Sequence, residues 1–332
     1  MDGATALTDQ GAKMRDRELK SLLAKVRQLT AGQRAKLQSA LTQPDGRAQV
    51  LALIDDCPGG APPACPHCKA TRVVRNGQAT GLQRYKCRGC GKTFNTLSGT
   101  PMARLRHKDK WLDQAQVLSQ GLSIHAAAVA LDVAPSTAFR WRHRFLAQGQ
   151  RVKADSLIGI AEADETFILR SCKGQRPTGR SRRRGGKSST RGTGDDHVPV
   201  LVVRDRSGAS TDFILGRSDK EQLIAVLRPV LAPDVVLCTD GSSALAAAAR
   251  HIGVEHRALN MTAGQRVRGP WHIQNVNAYH GRLKEWMRRF HGVATSYLAS
   301  YLGWFRALDR AAPTRLQPLR LLALALGQNA LP

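Results

Sequence analysis

Two pairs of cysteines are the residues whose spacing most directly implies chemistry. Cys65-Pro66-His67-Cys68 and Cys87-Arg88-Gly89-Cys90 are C-x-x-C knuckles. A two-residue spacer lets two thiolates converge on one cation, and four thiolates close the tetrahedral shell of a structural zinc ion. The competing readings are redox dithiols and disulfides. A redox motif would not come as two copies joined by a hairpin, and disulfides do not suit a reducing compartment. Between the knuckles, residues 71–74 and 82–86 flank Asn76-Gly77, a hairpin signal. A β-ribbon is expected, as scaffold or recognition module rather than catalyst. His67 sits inside a knuckle already supplied with two cysteines, and Cys57, Cys172 and Cys238 have no partner pattern.

A second constellation is carboxylic. Asp164-Glu165 follows the apolar run Leu157-Ile158-Gly159-Ile160, and Asp240 ends the run Val235-Val236-Leu237-Cys238-Thr239 and precedes Gly241. Carboxylates at the strand ends of an α/β sheet can converge on a metal, because the apolar strands hold them in place. Singly, each reads as a surface acid; together, in a very basic chain, they say more. The stretch from His272 to Trp286 supplies the third member. At about 100° per residue, Asn277 and Lys284 lie within about 20° of each other, with His280 and Gly281 flanking. Leu283, Trp286, Met287 and Phe290 gather on the other side, which is expected to pack on the sheet. Glu285, about 80° from Asn277, shares that site less easily.

The elements that must position these groups follow from periodicity. Strands are expected at 157–169, 198–204, 211–215 and 235–239, with a helix through residue 230 capped by Ser218 and Glu221, and helices at 273–291 and 295–310. Tyr297, Tyr301 and Trp304 read as a packing stripe. Strands alternating late with helices indicate an α/β domain over 152–312. Helices at 111–120, 124–131 and 135–147 resemble a helix-turn-helix. Its second helix would reach base edges with Ser136, Thr137 and Arg140 and carry Arg142 beside them, with Trp141 and Phe145 in the core. A plain three-helix connector is the alternative. The chain thus divides into N-terminal helices (1–56, with a capping box at Thr30–Gln33), a zinc ribbon (57–100, opened by a Pro/Gly linker), the helix-turn-helix-like segment (101–151), the α/β domain and a tail (313–332). A basic insertion at 170–195 holds Arg182, Arg183 and Arg184 among Gly and Ser spacers; it reads as a loop for phosphate contact.

Composition bounds the partners. With 51 Lys and Arg against 25 Asp and Glu, the 332 residues carry a formal charge of +26. A field of that strength selects polyanions. No apolar run approaches the length of a membrane span, and the N-terminus lacks a signal-peptide pattern, so a cytoplasmic location (bacterial cytoplasm or nucleoid) with reduced thiols and no membrane partner is expected.

At CPHC, RYKCRGCGKTFNTLSGTPMARLRHKDKW, EADETF, TDG and HIQNVNAYHGRLKEWMRRFHGVATSYLASYLGWFR, the chain resembles insertion-sequence transposases with an N-terminal zinc ribbon and an ISXO-like catalytic domain. The resemblance spans about residues 60–306. It implies a ribonuclease-H-like domain of the DDE class, with Asp164 and Asp240 as the first two metal ligands and Asn277 in the third position, where other branches carry Glu. Lys284 matches the family's lysine, and it and His272 would lie close to DNA phosphate. Glu165 would assist nearby; Glu162 and Glu285 are weaker substitutes. The implied cofactors are one structural Zn²⁺ and two catalytic Mg²⁺, with Mn²⁺ able to substitute. The implied partners are double-stranded DNA, both terminal inverted repeats and target, and further copies of the chain. A catalytically inactive or domesticated DNA-binding protein and a metal-dependent nuclease without strand transfer are the alternatives.

Overall fold

In the computed structural model of the chain, the described residues are 16–34, 38, 46–55, 62–174, 194, 196–259, 263–264, 266–311 and 317–328. Residues 1–49 and 50–332 form separate compact units. The first holds helix α1 (Asp16–Arg27), none of whose residues is buried. Its capping box is formed: Gln33 N donates to Thr30 Oγ1 at 3.3 Å, and Thr30 N donates to Gln33 Oε1 at 2.9 Å. The residues expected to extend the second helix, Leu37 and Leu41, lie outside the described residues, as do most of the linker and Arg182, Arg183 and Arg184.

The large unit is organised around a five-stranded sheet. Its strands are β4 (Ile160–Leu169), β5 (His197–Asp205), β6 (Ser210–Ile214), β7 (Val236–Thr239) and β8 (Glu255–Ala258), in the order β6-β5-β4-β7-β8. The first three run antiparallel, whereas β7 and β8 run parallel to β4. This mixed sheet with helices on both faces is the ribonuclease-H-like arrangement that the resemblance implied. Strand alternation divides β4 between two cores. Ala161 and Ala163 pack with Leu201, Val203 and Leu237 against helices at Lys220–Leu227 and Ser243–Ile252. On the other face Val200, Val202 and Cys238 meet the helices Gln274–Arg288 and Leu298–Ala311.

Before the sheet come helix α2 (Gly46–Asp55), a ribbon of β1 (Val73–Ala79), β2 (Leu82–Cys87) and β3 (Thr93–Phe94), and helices α3 (Trp111–Gln120), α4 (Ile124–Ala130) and α5 (Pro135–Leu146). In the sheet domain follow α6 (Lys220–Leu227), α7 (Ser243–Ile252), the small hairpin β9 (Val267–Arg268) and β10 (Trp271–His272), α8 (Gln274–Arg288) and α9 (Leu298–Ala311). Leu82, Leu97, Met102, Trp111, Trp141 and Phe145 share one core with Tyr279, Trp286, Tyr301 and Trp304. The Tyr301 and Trp304 stripe is therefore packing.

Four sequence expectations are corrected here. Asn76-Gly77 is not the ribbon turn; β1 runs through it with a register shift, and Thr80 and Gly81, at φ 55° and 82°, make the turn. In this register Cys87, the first residue of the second knuckle, sits beside Val73. Asp219, not Ser218, caps α6, its Oδ1 accepting from Gln222 N at 2.9 Å, and the helix ends at Leu227. Asp164 lies within a ten-residue strand rather than at its end. Finally, the expected tail contains α10 (Pro318–Leu326), with Leu321, Leu322 and Leu324 in the main core. No helix among the described residues is long and apolar enough to cross a membrane.

Candidate active site and metal centre

Parallel pairing of β4 with β7 ends at Glu162 opposite Cys238. Continuing that register by two residues brings Asp164 level with Asp240, on the strand face that α8 covers. The antiparallel pairing of β4 with β5 runs on to Leu169, which explains why Asp164 stands mid-strand yet at the carboxyl edge of the parallel pair. Past β7 the chain turns sharply: Ser242 N donates to Asp240 Oδ1 at 3.0 Å, and Gly241 takes φ 88°, a conformation suited to glycine.

Helix α8 lies across this edge. Of the expected packing face, Leu283 and Trp286 are buried and Met287 and Phe290 half-buried, and Val276 and Tyr279 are buried with them. His280, read from sequence as flanking the polar face, is buried as well, with Nδ1 3.5 Å from Asp164 Oδ2. Asn277 and Lys284 are exposed, at about 60° and 40° around the helix from His280. Both therefore lie on the same flank of His280, the residue of this helix that faces Asp164. A clamp holds α8 and α9 to the sheet: Asp309 accepts from Arg204 of β5 at 2.6 Å and from Arg282 of α8 at 2.7 Å. Burial pushes the Asp309 carboxyl up, but the bonds from Arg282 and Arg204 outweigh it and hold it below the usual range.

Glu165 points to the opposite face from Asp164. It accepts a hydrogen bond from Ser218 Oγ. Burial pushes its carboxyl up, Ser218 counteracts this, and the charges of Asp164 and Asp240 add to the rise. Glu285 is exposed and paired with Arg288, away from the acids. Glu162, expected as a substitute ligand, is fully buried and bound to the start of α8. The sequence held a signal for this that composition alone hides: α8 begins after Ile273, a residue with no side-chain oxygen to cap it.

The cysteine centre is the other site. Sγ atoms of Cys65 and Cys90 lie 3.7 Å apart and those of Cys68 and Cys87 3.5 Å apart, all four within 4.8 Å of one another. Zinc–sulfur bonds of about 2.3 Å place tetrahedral sulfurs about 3.8 Å apart, so the donor set fits. Each knuckle closes through a left-handed residue: Lys69 N donates to Cys65 O at 2.9 Å and Gly91 N to Cys87 O at 3.0 Å. The amides of Cys90 and Gly89 face Cys87 Sγ and bring its thiol down to about 7, against the effect of burial. Among the described residues this is the one group of three or more His, Cys, Asp or Glu placed to hold a metal.

Comparison with known proteins reads these features together. Residues 64–91 match the InsA N-terminal zinc ribbon and residues 104–151 a homeodomain-like helix-turn-helix domain. Residues 156–306 match the ISXO2-like transposase domain, which spans the sheet, Asp164, Asp240 and α8. The chain is a DNA transposase. A protein in transposable element ISH50 of Halobacterium salinarum is 28% identical over 249 residues, covering 73% of this chain and 83% of that one. Two solved assemblies align over comparable lengths. A simian T-cell lymphotropic virus intasome in complex with PP2A regulatory subunit B56 gamma is 10% identical, covering 63% of this chain and 74% of its own, at TM-score 0.28. A pre-cleavage Mos1 transpososome is 13% identical, covering 64% and 78%, at TM-score 0.21. At those scores neither likeness bears on the reading.

In the transposase's helix-turn-helix, Ser123 caps α4 by accepting from Ala126 N at 3.2 Å, and Asp132 takes φ 49° in the turn. Pro135 opens α5, whose Ser136 and Arg140 are exposed one turn apart, with Thr137 half-buried between them. Trp141 and Phe145 are core, as expected. Arg142, expected beside Ser136, Thr137 and Arg140 on the DNA-facing side, is turned into the core instead. It is 1% exposed, donates to Leu122 O, and lies 5.7 Å from the ring centres of Phe290 and Trp304. Periodicity assigned it to the basic face, but α5 is enclosed by α9 as well as by its own bundle. His272 is likewise engaged: Nδ1 lies 3.3 Å from Glu162 and Nε2 2.6 Å from Arg206. Of the basic insertion, residues 170–174 and 194 are described; at its start Lys173 Nζ donates to His291 O and Gly292 O, both at 2.9 Å.

Proposed function

We propose that this transposase binds the terminal inverted repeats of its element as duplex DNA, cuts there, and joins the 3′ ends into target DNA by metal-dependent phosphoryl transfer. The observation that supports the reading is the parallel register of β4 and β7, whose last pair, Glu162 with Cys238, lies two residues before Asp164 and Asp240, with His280 of the helix that carries Asn277 and Lys284 against Asp164. Two carboxylates and one carboxamide oxygen form a hard, incompletely filled donor set, suited to Mg²⁺ with Mn²⁺ as a substitute. Asp164, Asp240 and Asn277 would hold the cations, which when bound lower the pKa of an attacking water or 3′-hydroxyl and stabilise the leaving oxygen. Asp164 is steadied by His280, whose Nδ1 faces its carboxylate. Asp240 is fixed by the amide of Ser242. Lys284, exposed on the same flank, offers a point charge to a DNA phosphate.

Recognition falls to the zinc ribbon and to Ser136, Thr137 and Arg140 on α5, with the basic insertion adding sequence-independent phosphate contact. Work on paired element ends calls for at least two copies of the chain, acting in the cytoplasm where the element resides. The test is incubation of labelled terminal-repeat DNA and Mg²⁺ with wild type, Asp164→Asn and Asp240→Asn. Wild type should nick and join while both variants bind equally and do neither, a loss of about 10³-fold or more. Tight binding without nicking by wild type would make the chain a binding protein. Nicking without joined products would make it a nuclease.

A further inference from the structure

We propose that Glu162 is the positioning residue of the active site: from β4 it caps the N-terminus of α8 and so ties the helix bearing Asn277 and Lys284 to the strand bearing Asp164. The proposal rests on the active-site reading above. A helix begins with amides that have no partner within it, and the residue before its first turn ordinarily supplies the acceptor. In α8 that residue is Ile273, whose buried side chain has no oxygen. Glu162 takes its place from another element. Its Oε2 accepts from Asn275 N at 2.8 Å and Val276 N at 3.0 Å, and its Oε1 accepts from Asn275 Nδ2 at 3.0 Å.

The carboxylate is 0% exposed, and its charge is met on every side. The positive end of α8 faces it, Arg206 Nη2 lies 3.2 Å away, and His272 Nδ1 lies 3.3 Å away. Arg206 Nη1 also lies 2.6 Å from His272 Nε2, so the two groups beside Glu162 are in contact with each other. With the amides of Asn275 and Val276, the Asn275 side chain and Arg206 ranged around its two oxygens, the carboxylate is already satisfied without a cation. Glu162 is thereby a structural acid two residues from a proposed ligand, on the same face of the same strand. One carboxylate sets the start of α8, and with it the height of Asn277 above Asp164.

The test compares full-length wild type, Glu162→Ala and Glu162→Gln. Amide hydrogen exchange at Asn275 and Val276, zinc content, affinity for terminal-repeat DNA and the cleavage rate are measured on each. Glu162→Ala should speed exchange in the first turn of α8 by about tenfold or more, since a hydrogen bond to a charged acceptor is lost there. It should slow cleavage by about 10²-fold while zinc content and DNA affinity stay at wild-type levels. Glu162→Gln, which keeps one acceptor oxygen in the same shape, should recover part of both the protection and the rate. Unchanged exchange in Glu162→Ala overturns the proposal. So does lost protection with wild-type cleavage, or a rate defect that raised Mg²⁺ abolishes, which would make Glu162 a ligand. Wild-type cleavage by Asp164→Asn would overturn the active-site reading instead, and the exchange data would still decide the cap.

Discussion

Three buried or half-buried acids within four positions of one strand have three fates. Glu162 is spent on the start of a helix, Asp164 faces His280, and Glu165 turns to the opposite face and Ser218. The alternation of a strand accounts for the split between Asp164 and Glu165, and hydrogen-bond supply separates Glu162 from Asp164. The four cysteines have a single fate, and this makes a sharp prediction at the same scale. Cys65→Ser should reduce bound zinc from one ion per chain to near none by elemental analysis. It should also lower the unfolding temperature, because structural zinc contributes folding energy of about 10–16 kcal/mol in small zinc modules. Retention of a full zinc equivalent would remove Cys65 from the site. Because Leu82 and Leu97 of the ribbon region join the main core, the loss should register in the whole unit's melting and not in the ribbon alone.

Between elements, α5 and α9 meet through an aromatic contact that can titrate. His143 of α5 stacks on Tyr297, just ahead of α9, with ring centres 3.7 Å apart, and meets Phe139 edge-on at 4.3 Å. Burial, with Arg142 beside it, lowers the His143 imidazole from its usual 6.5 to about 4. A depressed folded value means that the neutral ring is the one the packing accepts. The stabilisation is complete above about pH 6.5 and is lost as the pH falls toward 4, where the unfolded chain takes up a proton that the folded chain resists. Solvent screening at this half-buried ring leaves about 1–2 kcal/mol of the effect. His143→Phe keeps the stack and removes the titration, so wild type minus variant stability, from denaturant melts between about pH 4 and 7, should decline toward low pH. A flat difference would show that the ring takes up its proton without cost.

For the molecule as a whole, the +26 charge implies DNA affinity that depends steeply on salt. If about six to ten phosphates are contacted, affinity should fall by about 10³–10⁵-fold between about 50 and 200 mM salt. Two neighbouring arginines should respond differently in that titration, read by fluorescence anisotropy. Arg140→Ala should weaken terminal-repeat binding by about 1–3 kcal/mol, relax specificity at the base it reads, and leave the melting temperature alone. Arg142→Ala should instead destabilise the fold by about 2–4 kcal/mol, since its guanidinium is enclosed by Leu122, Phe290 and Trp304. Unchanged affinity and specificity in Arg140→Ala would place that residue outside the interface.

What the sequence determined by itself were local properties with strong periodicity or fixed spacing: the two knuckles, the strands around Asp164 and Asp240, and the buried stripe of α8. Each depends on contacts a few residues apart, or on a chemical donor set that needs a set interval. Only the tertiary structure decided the rest. Asn76-Gly77 has the composition of a turn, yet the first strand runs on through it to Ala79, and the turn falls at Thr80-Gly81. Arg142 has the side chain of a DNA contact, but the helix face it occupies is covered by α9. Residues 313–332 look like a tail until α10 finds a core to enter. Glu162 looks like a spare ligand until a helix with no cap of its own arrives from far downstream. Long-range partners decide those roles, because burial and hydrogen-bond satisfaction are properties of the assembled neighbourhood and not of the residue that ends up in it.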